Sequence, residues 1–364
     1  MLSNLDISVV IFYAISLFAL AQWVSREQAG HNKDTSDYFL AGKSLPWWAI
    51  GASLIAANIS AEQIIGMSGS GYAIGLAIAS YEWMAAITLI LVGKYLLPIF
   101  LERGIYTMPQ FLEQRYDHRV RLVMAFFWLG VYIFVNLTSV LWLGALALNT
   151  VAGLDIVQGM VLLGLFAVGY SLYGGLKAVA FTDIIQVVLL VLGGLMIAWI
   201  MLDKVSDGSG VLAGFQILTE RAPEKFDMIL NRDNPHYASL PGLSVLLGGM
   251  WIMNISYWGF NQYITQRALG AKSLQEAQKG VMFAAYLKLL MPIVIVLPGI
   301  CAAMAMEMEL IPSIVKSDQA YPSMMTLLPH GLLGLTFAAL IAAIVSSLAS
   351  MTNSIGTIFA MDVY

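Results

Sequence analysis

The sequence predicts an all-α integral membrane protein built as an inverted repeat. Hydrophobic residues make up 59% of its 364 residues and charged residues only 11%. The mean hydropathy of +0.79 exceeds that of ordinary soluble domains. Apolar stretches of the length that crosses a bilayer, about 20 helical residues, recur along the whole chain. Two of them share a polar motif, Asn58-Ile59-Ser60 and Asn254-Ile255-Ser256.

The apolar stretches predict nine membrane spans. We expect the first span to be retained rather than cleaved as a signal peptide, because Asp6 precedes it and no basic segment does. A long polar loop at 204–241 separates the sixth span from the seventh. The predicted spans are, approximately, 7–24, 47–74, 76–101, 122–149, 156–175, 178–202, 242–266, 280–306 and 331–361.

The second span begins with amides, hydroxyls, a carboxylate and glycines. Residues 56–71 read Ala-Ala-Asn-Ile-Ser-Ala-Glu-Gln-Ile-Ile-Gly-Met-Ser-Gly-Ser-Gly. Lipid offers these groups no hydrogen-bond partner, so the helix either faces a packed bundle or opens to present its backbone to a ligand. The glycines favour an opened helix, which is the device that forms binding sites in secondary transporters.

The repeated motif predicts how the spans are organised. The second and seventh spans are five spans apart, and an odd number makes two repeats run in opposite directions through the membrane. The spans that follow them carry Glu82 and Lys288, respectively. The sequence therefore predicts a leading helix and loop at 1–46, a first five-helix repeat at 47–203, an extracellular or periplasmic loop at 204–241, and three helices of a second repeat at 242–364. On this count we expect a truncated chain, with at least two core helices beyond Tyr364.

The basic residues predict an N-terminus outside the cell and a multi-pass location in the cell (inner) membrane, because cytoplasmic loops retain Lys and Arg. Five other basic residues lie in long outer loops, where the rule is weak, and two lie within spans. The inner loops would hold Arg26, Lys33, Lys43, Arg103, Arg115, Arg119, Arg121, Lys177, Arg267, Lys272 and Lys279.

Other classes of function find little support in the sequence. No basic patch interleaved with aromatic residues indicates nucleic-acid binding. No phosphate-binding loop, dinucleotide fingerprint, zinc-protease motif or nucleophile elbow occurs in a fitting context, so we predict that the protein is not an enzyme. The sequence does not indicate an oligomeric state.

Several blocks of sequence carry a resemblance to a known family. They include Asp-Tyr-Phe-Leu-Ala-Gly-Lys-Ser-Leu-Pro-Trp-Trp at 37–48, the stretch at 58–71, and Tyr-Ser-Leu-Tyr-Gly-Gly-Leu-Lys-Ala at 170–178. Further blocks are Tyr-Glu-Trp at 81–83, Tyr-Trp-Gly-Phe-Asn-Gln-Tyr at 257–263 and Ala-Ala-Ile-Val-Ser-Ser-Leu-Ala-Ser at 342–350. Over nearly its whole length the chain resembles the sodium solute symporter family, in particular its bacterial sodium/galactose (sodium/glucose-type) cotransporters. The resemblance implies the leucine-transporter fold, with eight of its ten core helices present and the second repeat incomplete.

The resemblance also implies a sodium site. Its oxygens would be the backbone carbonyls of Ala56, Ile59 and Ala343 with the hydroxyls of Ser346 and Ser347, a set that suits a hard cation. The alternative is that the two serines bond back to carbonyls one turn earlier in their own helix. Asp183 resembles a carboxylate that assists sodium release in the family. Its alternative is an interfacial charge that faces cytoplasmic water.

A sugar site is implied at Asn58, Gln63, Glu82, Asn254 and Lys288. Amides both donate and accept hydrogen bonds, and the two charged groups make stronger, charge-assisted ones. Alternatively, Glu82 and Lys288 form a structural ion pair, because a charge at mid-membrane is costly without a partner. Both roles can hold together. Ala85 stands where the similar galactose transporter has a serine of its site, which leaves the exact sugar open.

The resemblance further assigns gate residues and a mechanism. Tyr257 would close the cytoplasmic side beneath the sugar, and Met67 and Tyr81 would belong to the outer gate. The implied function is electrogenic symport of sodium and a hexose by alternating access, with sodium as co-substrate. Symport of another solute, such as an amino acid, a vitamin or sialic acid, remains an alternative. A multi-span receptor or scaffold is an alternative from a different class.

Overall fold

A computed structural model describes residues 2–24 and 35–364. Side chains at 35, 36, 38 and 170–175 lie outside the description. The inner-loop residues Arg26 and Lys33 therefore fall outside the described residues, as do the side chains of most of the block at 170–178.

The described residues are overwhelmingly helical, and the helices are numbered here in chain order. Several include π-helical turns, such as Glu62–Gly66 and Ser256–Phe260. The helices are α1 Asn4–Val24, α2 Thr35–Leu40, α3 Trp47–Asn58, α4 Glu62–Ala73, α5 Leu76–Glu102, α6 Met108–Arg115, α7 His118–Ala152, α8 Ile156–Val205, α9 Val211–Arg221, α10 Gly242–Phe260, α11 Gln262–Leu269, α12 Leu274–Glu307, α13 Ala320–Met325 and α14 Leu332–Val363.

Each predicted span coincides with helical structure in the described residues. Seven helical stretches are long and apolar enough to cross a membrane, and the bent pair α3–α4 makes an eighth candidate. The predicted fifth span corresponds to the shorter apolar stretch Ile156–Gly169 within α8. The predicted loop at 204–241 is partly helical, because it contains α9.

The second span is broken, as its polar residues and glycines predict. Helices α3 and α4 meet at an angle of 61°. At the break, Ile59 has φ −76° and ψ 71°, outside the helical region. The amide of Ser60 donates to the carbonyl of Asn58 at 2.8 Å instead of continuing the helix. The sequence prediction of an opened helix is confirmed.

The predicted seventh span is interrupted as well. Asn261 has an extended backbone, with φ −81° and ψ 119°, between α10 and α11. Tyr132 of α7 holds this interruption: its hydroxyl donates to Asn261 Oδ1 at 2.7 Å and accepts from the amide of Gln262 at 2.9 Å. A side chain from another helix thus supplies hydrogen bonds that the broken backbone needs.

Helix α8 contains both the fifth and the sixth predicted spans. A straight helix of its 50 residues would be about 75 Å long, more than twice the about 30 Å of a hydrocarbon core. However, Leu163 and Ile344 of α14 both lie against Gly144 of α7, and Asp183 accepts a hydrogen bond from Ser346 of α14. The two halves of α8 therefore lie side by side against α14, as two successive spans would.

Close packing of α12 against the broken span fixes the geometry of the site. A Cβ on Gly280 would lie 2.9 Å from the carbonyl oxygen of Trp47 in α3, and a Cβ on Gly299 would lie 2.0 Å from that of Ser68 in α4. Small residues allow such close approach between membrane helices. Since Gly280 and Gly299 flank Lys288 in the sequence, they bring this side chain to the level of the break.

Candidate functional site

A polar cavity lies where the break between α3 and α4 faces α5, α10 and α12. Its volume is about 190 Å³. All five residues of the predicted sugar site line it, together with the three predicted gate residues. These eight are Asn58, Gln63, Met67, Tyr81, Glu82, Asn254, Tyr257 and Lys288.

A buried ion pair forms one wall of this cavity. Lys288 Nζ donates to Glu82 Oε2 at 2.7 Å, and the side chains are only 1% and 3% exposed. Lys288 also donates to Asn58 Oδ1, and Gln63 Nε2 donates to Glu82 Oε1. The ion-pair interpretation of Glu82 and Lys288 is confirmed. The pair still borders the cavity, so these four side chains form a connected set of donors and acceptors that a ligand can reach.

The remaining polar residues extend this network to α10 and α11. Asn58 Nδ2 donates to the Tyr257 hydroxyl at 3.1 Å, and that hydroxyl lies 2.6 Å from the hydroxyl of Tyr263. Asn254 lies one turn before Tyr257 and donates to the carbonyl of Met250 at 3.0 Å. The hydrogen bond from Asn58 therefore joins Tyr257 of α10 to the broken helix.

Met67 and Tyr81, the predicted residues of the outer gate, also line the cavity. Gln63 Nε2 lies 3.3 Å from the sulfur of Met67, which ties this residue to the polar network. Tyr81 precedes Glu82 in α5. Ala85 also lines the cavity, so the serine that it replaces would contribute a hydroxyl at this position.

Other cavity residues were not predicted from the sequence. Ser60, Glu62, Met253 and Trp258 line the cavity too. The indole ring of Trp258 lies 5.2 Å from Lys288 Nζ, within the range of a cation–π contact. The polar stretch at 56–71 contained Ser60 and Glu62, but nothing in its spacing separated cavity-lining residues from their neighbours.

The break also frees two of the carbonyls in the predicted sodium site. In a continued helix the amide of Ser60 would bond to Ala56, but here it bonds to Asn58. Likewise the amide of Gln63 donates to the carbonyl of Ser60 at 3.1 Å rather than to that of Ile59. Carbonyls released from a helix in this way are the ligands that hard cations prefer.

The other members of the predicted sodium set lie on one turn of α14 and are fully buried: Ala343, Ser346 and Ser347. Ser347 Oγ lies 3.5 Å from the carbonyl oxygen of Ala57, next to Ala56. Ser346 Oγ donates to Asp183 Oδ1. Both hydroxyls bond to other helices, so the alternative in which they bond back to their own helix is wrong.

Asp183 is completely enclosed. Its carboxylate accepts hydrogen bonds from Ser346 and, at 2.6 Å, from Ser53, and Arg267 lies 3.4 Å away. The alternative interpretation of an interfacial charge facing water is wrong, because the side chain is 0% exposed. The sequence did not reveal the partners Ser53 and Arg267, which lie 130 and 84 residues away.

The structure combines an interrupted helix with a buried ion pair, and the two border a polar cavity within a bundle of apolar helices. These features are typical of a membrane protein of the secondary-transporter class. A model of the sodium:solute symporter family matches residues 38–364. The chain belongs to the sodium:solute symporter family, as the sequence blocks predicted. Its relatives are transporters, which agrees with the prediction that the chain is not an enzyme.

The chain is similar to several curated proteins. It is 56% identical to a sodium/glucose cotransporter of Vibrio parahaemolyticus, covering 100% of this chain and 69% of the relative. It is 33% identical to human sodium/myo-inositol cotransporter 2, covering 99% of this chain but only 56% of the relative. Other curated relatives are likewise matched over little more than half of their length.

A solved structure shares the fold. It is the substrate-bound, outward-open state of a Na⁺-coupled sialic acid symporter, with a TM-score of 0.88 and 26% sequence identity. The match covers 100% of this chain and 75% of the solved one. The predicted leucine-transporter-like, all-α fold is confirmed.

Proposed function

We propose that the protein couples sodium entry to uptake of a hexose by alternating access. The observation that carries this proposal is the cavity at the helix break, where Asn58, Gln63, Glu82, Asn254 and Lys288 converge. The 56% identity to a sodium/glucose cotransporter supports a hexose as the solute.

The chemistry of the cavity suits a small polyol. A sugar loses water from several hydroxyls when it enters, and each hydroxyl left without a partner costs about 1–3 kcal/mol. The amides of Asn58, Gln63 and Asn254 offer donors and acceptors, and Glu82 and Lys288 offer charged ones. The sugar would exchange hydrogen bonds with this network, because its members are already bonded to one another.

Sodium would bind between the break and α14. The proposed ligands are the carbonyls of Ala56, Ile59 and Ala343 and the hydroxyls of Ser346 and Ser347. Asp183 would act as a positioning residue, since it accepts the hydrogen bond of Ser346. A cation at this place would join α3 to α14, and its loss would free the two elements to move apart.

The energy of one sodium ion limits the sugar gradient. An ion that moves down 100 mV releases about 2.3 kcal/mol, and a tenfold concentration gradient adds about 1.4 kcal/mol. One sodium per sugar would therefore support a sugar gradient of roughly 500-fold at most.

Alternating access follows from the position of the gates. Tyr257 and Tyr263 would close the cytoplasmic side, and Met67 and Tyr81 the outer side. Units 47–203 and 242–364 would act as the two inverted repeats, in a cell-membrane protein with its N-terminus outside. The Tyr257–Asn58 hydrogen bond links these two units, so it would have to break when the cavity opens inward.

Other solutes fit the cavity less well. The solved relative is a sialic acid symporter. Sialic acid carries a carboxylate, which requires a free cationic or strongly donating group. Lys288 is already paired with Glu82 at 2.7 Å, which disfavours a second carboxylate nearby. A receptor or scaffold would need neither a polar cavity nor carbonyls released from a helix.

Uptake of labelled sugars by proteoliposomes that contain the full-length gene product tests the proposal. We expect sodium-dependent uptake of galactose or glucose, abolished by Gln63→Ala and severely reduced by Ser347→Ala. Two matched controls are Gln216→Ala, on exposed α9, and Ser16→Ala, whose hydroxyl bonds within its own helix. Both controls should transport normally.

The two variants separate the two parts of the proposal. Sugar uptake at normal apparent affinity in Gln63→Ala would contradict the sugar site. Normal sodium dependence in Ser347→Ala would contradict the sodium site. Sodium-driven uptake of an amino acid or sialic acid, without uptake of any hexose, would establish the alternative solute class.

A further inference from the structure

The loop segment at 222–241, between α9 and α10, folds back over the ends of the helices that carry the proposed transport site. A Cβ on Gly75, in the turn from α4 to α5, would lie 2.3 Å from the carbonyl oxygen of Lys225. A Cβ on Gly242, at the start of α10, would lie 2.6 Å from the carbonyl oxygen of Leu230. The backbone of the segment therefore lies directly against the α4–α5 turn and against the start of α10.

Lys225 anchors the segment to the end of α4. Its ammonium donates hydrogen bonds to the carbonyls of Tyr72 at 2.9 Å and Ala73 at 2.7 Å. These are the last two residues of α4, and the final carbonyls of a helix have no partner within it. A cation at this position also interacts favourably with the helix dipole. The side chain thus joins the segment to the half of the broken span that borders the polar cavity.

Two leucines of the segment belong to a hydrophobic cluster beside that cavity. Leu230 and Leu240 are 3% and 4% exposed and pack with side chains of α5 and α10. The cluster includes Tyr81, which also lines the cavity. Met250, another member, lies one helical turn from the cavity residue Asn254, toward the end of α10 that the segment joins. The cluster therefore covers the side of the cavity that faces the loop.

We propose that residues 222–241 form a lid over the outer gate and that Lys225 is the positioning residue that holds this lid closed. With the lid closed, Leu230 and Leu240 pack over Tyr81, so the gate residue moves outward only after the leucines are displaced. Release of Lys225 from the end of α4 frees the lid and opens the cavity. This inference rests on the proposed function, because it takes the side of the loop as the side from which the solute enters.

Thiol accessibility tests the lid without any measurement of transport. Ala85→Cys places a thiol in the cavity wall, and the native Cys301 is buried, so the protein without this substitution is the blank. The full-length protein, in proteoliposomes of uniform orientation and without sugar, is treated from either side with a membrane-impermeant methanethiosulfonate reagent. We expect slow modification from the side of the loop. Adding Lys225→Met should accelerate it about threefold to tenfold, as expected when hydrogen bonds that favour the closed lid are lost.

Four further variants, each combined with Ala85→Cys, sharpen the test. Lys225→Arg keeps donors for both carbonyls and should react at the original rate. Arg232→Met removes a cation from an exposed position of the same segment and should also leave the rate unchanged. Leu230→Ala weakens the apolar packing of the lid and should accelerate the reaction. Leu218→Ala, at a fully buried leucine of α9 in a different cluster, is the matched control and should not.

Three results would overturn the proposal. An unchanged rate in both Lys225→Met and Leu230→Ala would mean that the segment does not cover the cavity. Equal acceleration by Leu218→Ala would mean that any loss of stability in this loop exposes the cavity. Acceleration only with reagent from the opposite side would mean that the segment does not lie over the outer gate. If the rates change as expected but no hexose is taken up, the lid is supported and the proposed function is contradicted.

Discussion

Two buried ion pairs among the described residues differ in what surrounds them. Lys288 and Glu82 are 2.7 Å apart at the wall of the polar cavity. Arg267 and Asp183 are 3.4 Å apart, and both side chains are enclosed by protein, with exposures of 1% and 0%. Arg267 instead donates to Ser53 and Ser350, each at 2.7 Å, and to the carbonyl of Tyr263.

The difference indicates two separate tasks. The guanidinium of Arg267 is surrounded by protein acceptors, so it holds α3, α8, α11 and α14 in one arrangement. The ammonium of Lys288 shares its acceptors with a space that admits a solute. An ion pair at the wall of a cavity can exchange its hydrogen bonds with a solute that enters. An ion pair enclosed by protein has no such alternative partner, so losing one member leaves the other charge unpaired.

The largest effect on stability should come from Arg267→Met. It leaves the carboxylate of Asp183 buried without a cation, and removing one partner of a buried pair costs about 3–5 kcal/mol. We expect poor yield and a clearly lowered melting temperature of the purified full-length protein. The double variant Arg267→Met/Asp183→Asn should recover part of the loss. A single variant as stable as the wild type would contradict the structural role of this pair.

A smaller loss of stability is expected for Lys288→Met. Glu82 keeps its hydrogen bond from Gln63 and borders a cavity that water can enter, so the cost should be about 1–3 kcal/mol. Sugar uptake should nevertheless be lost. Melting temperatures of Lys288→Met and Arg267→Met, measured side by side, test the comparison directly. Equal decreases in melting temperature would mean that the cavity does not reduce the cost of leaving Glu82 without its cation.

The smallest effect is expected at a third ion pair, which is partly exposed. Glu113 of α6 lies 2.6 Å from Arg121 of α7. Exposed pairs contribute little to stability because water and salt screen them. Arg121 also bonds to Asp362 at 2.8 Å, so Glu113→Gln should leave the melting temperature at neutral pH nearly unchanged.

The pH dependence of this third pair gives a further check. Desolvation opposes the shift, but hydrogen bonds and charge from His118 and Arg121 lower the pKa of Glu113 below its ordinary value of 4.5. A lowered pKa in the folded state means that the stabilising contribution is present above pH 4.5 and is lost as the pH falls through the folded pKa. Any small difference between wild type and Glu113→Gln should therefore disappear in acid. A difference that grew in acid would contradict the lowered pKa.

The sequence by itself determined the membrane environment and the position of the helix break. Both are local properties: a run of apolar residues must lie in lipid, and polar residues with glycines at 56–71 cannot continue an ordinary helix there. The resemblance to the family, carried by short blocks such as 58–71, also named eight of the side chains that line the cavity.

Only the tertiary structure decided how those residues are paired. Nothing near Asp183 in the sequence indicates Arg267, and the close approach of Gly280 to Trp47 that sets the level of Lys288 depends on helices more than 200 residues apart. The physical reason is that hydrogen bonds within a helix follow from local sequence, whereas the partner of a side chain depends on which helices pack together.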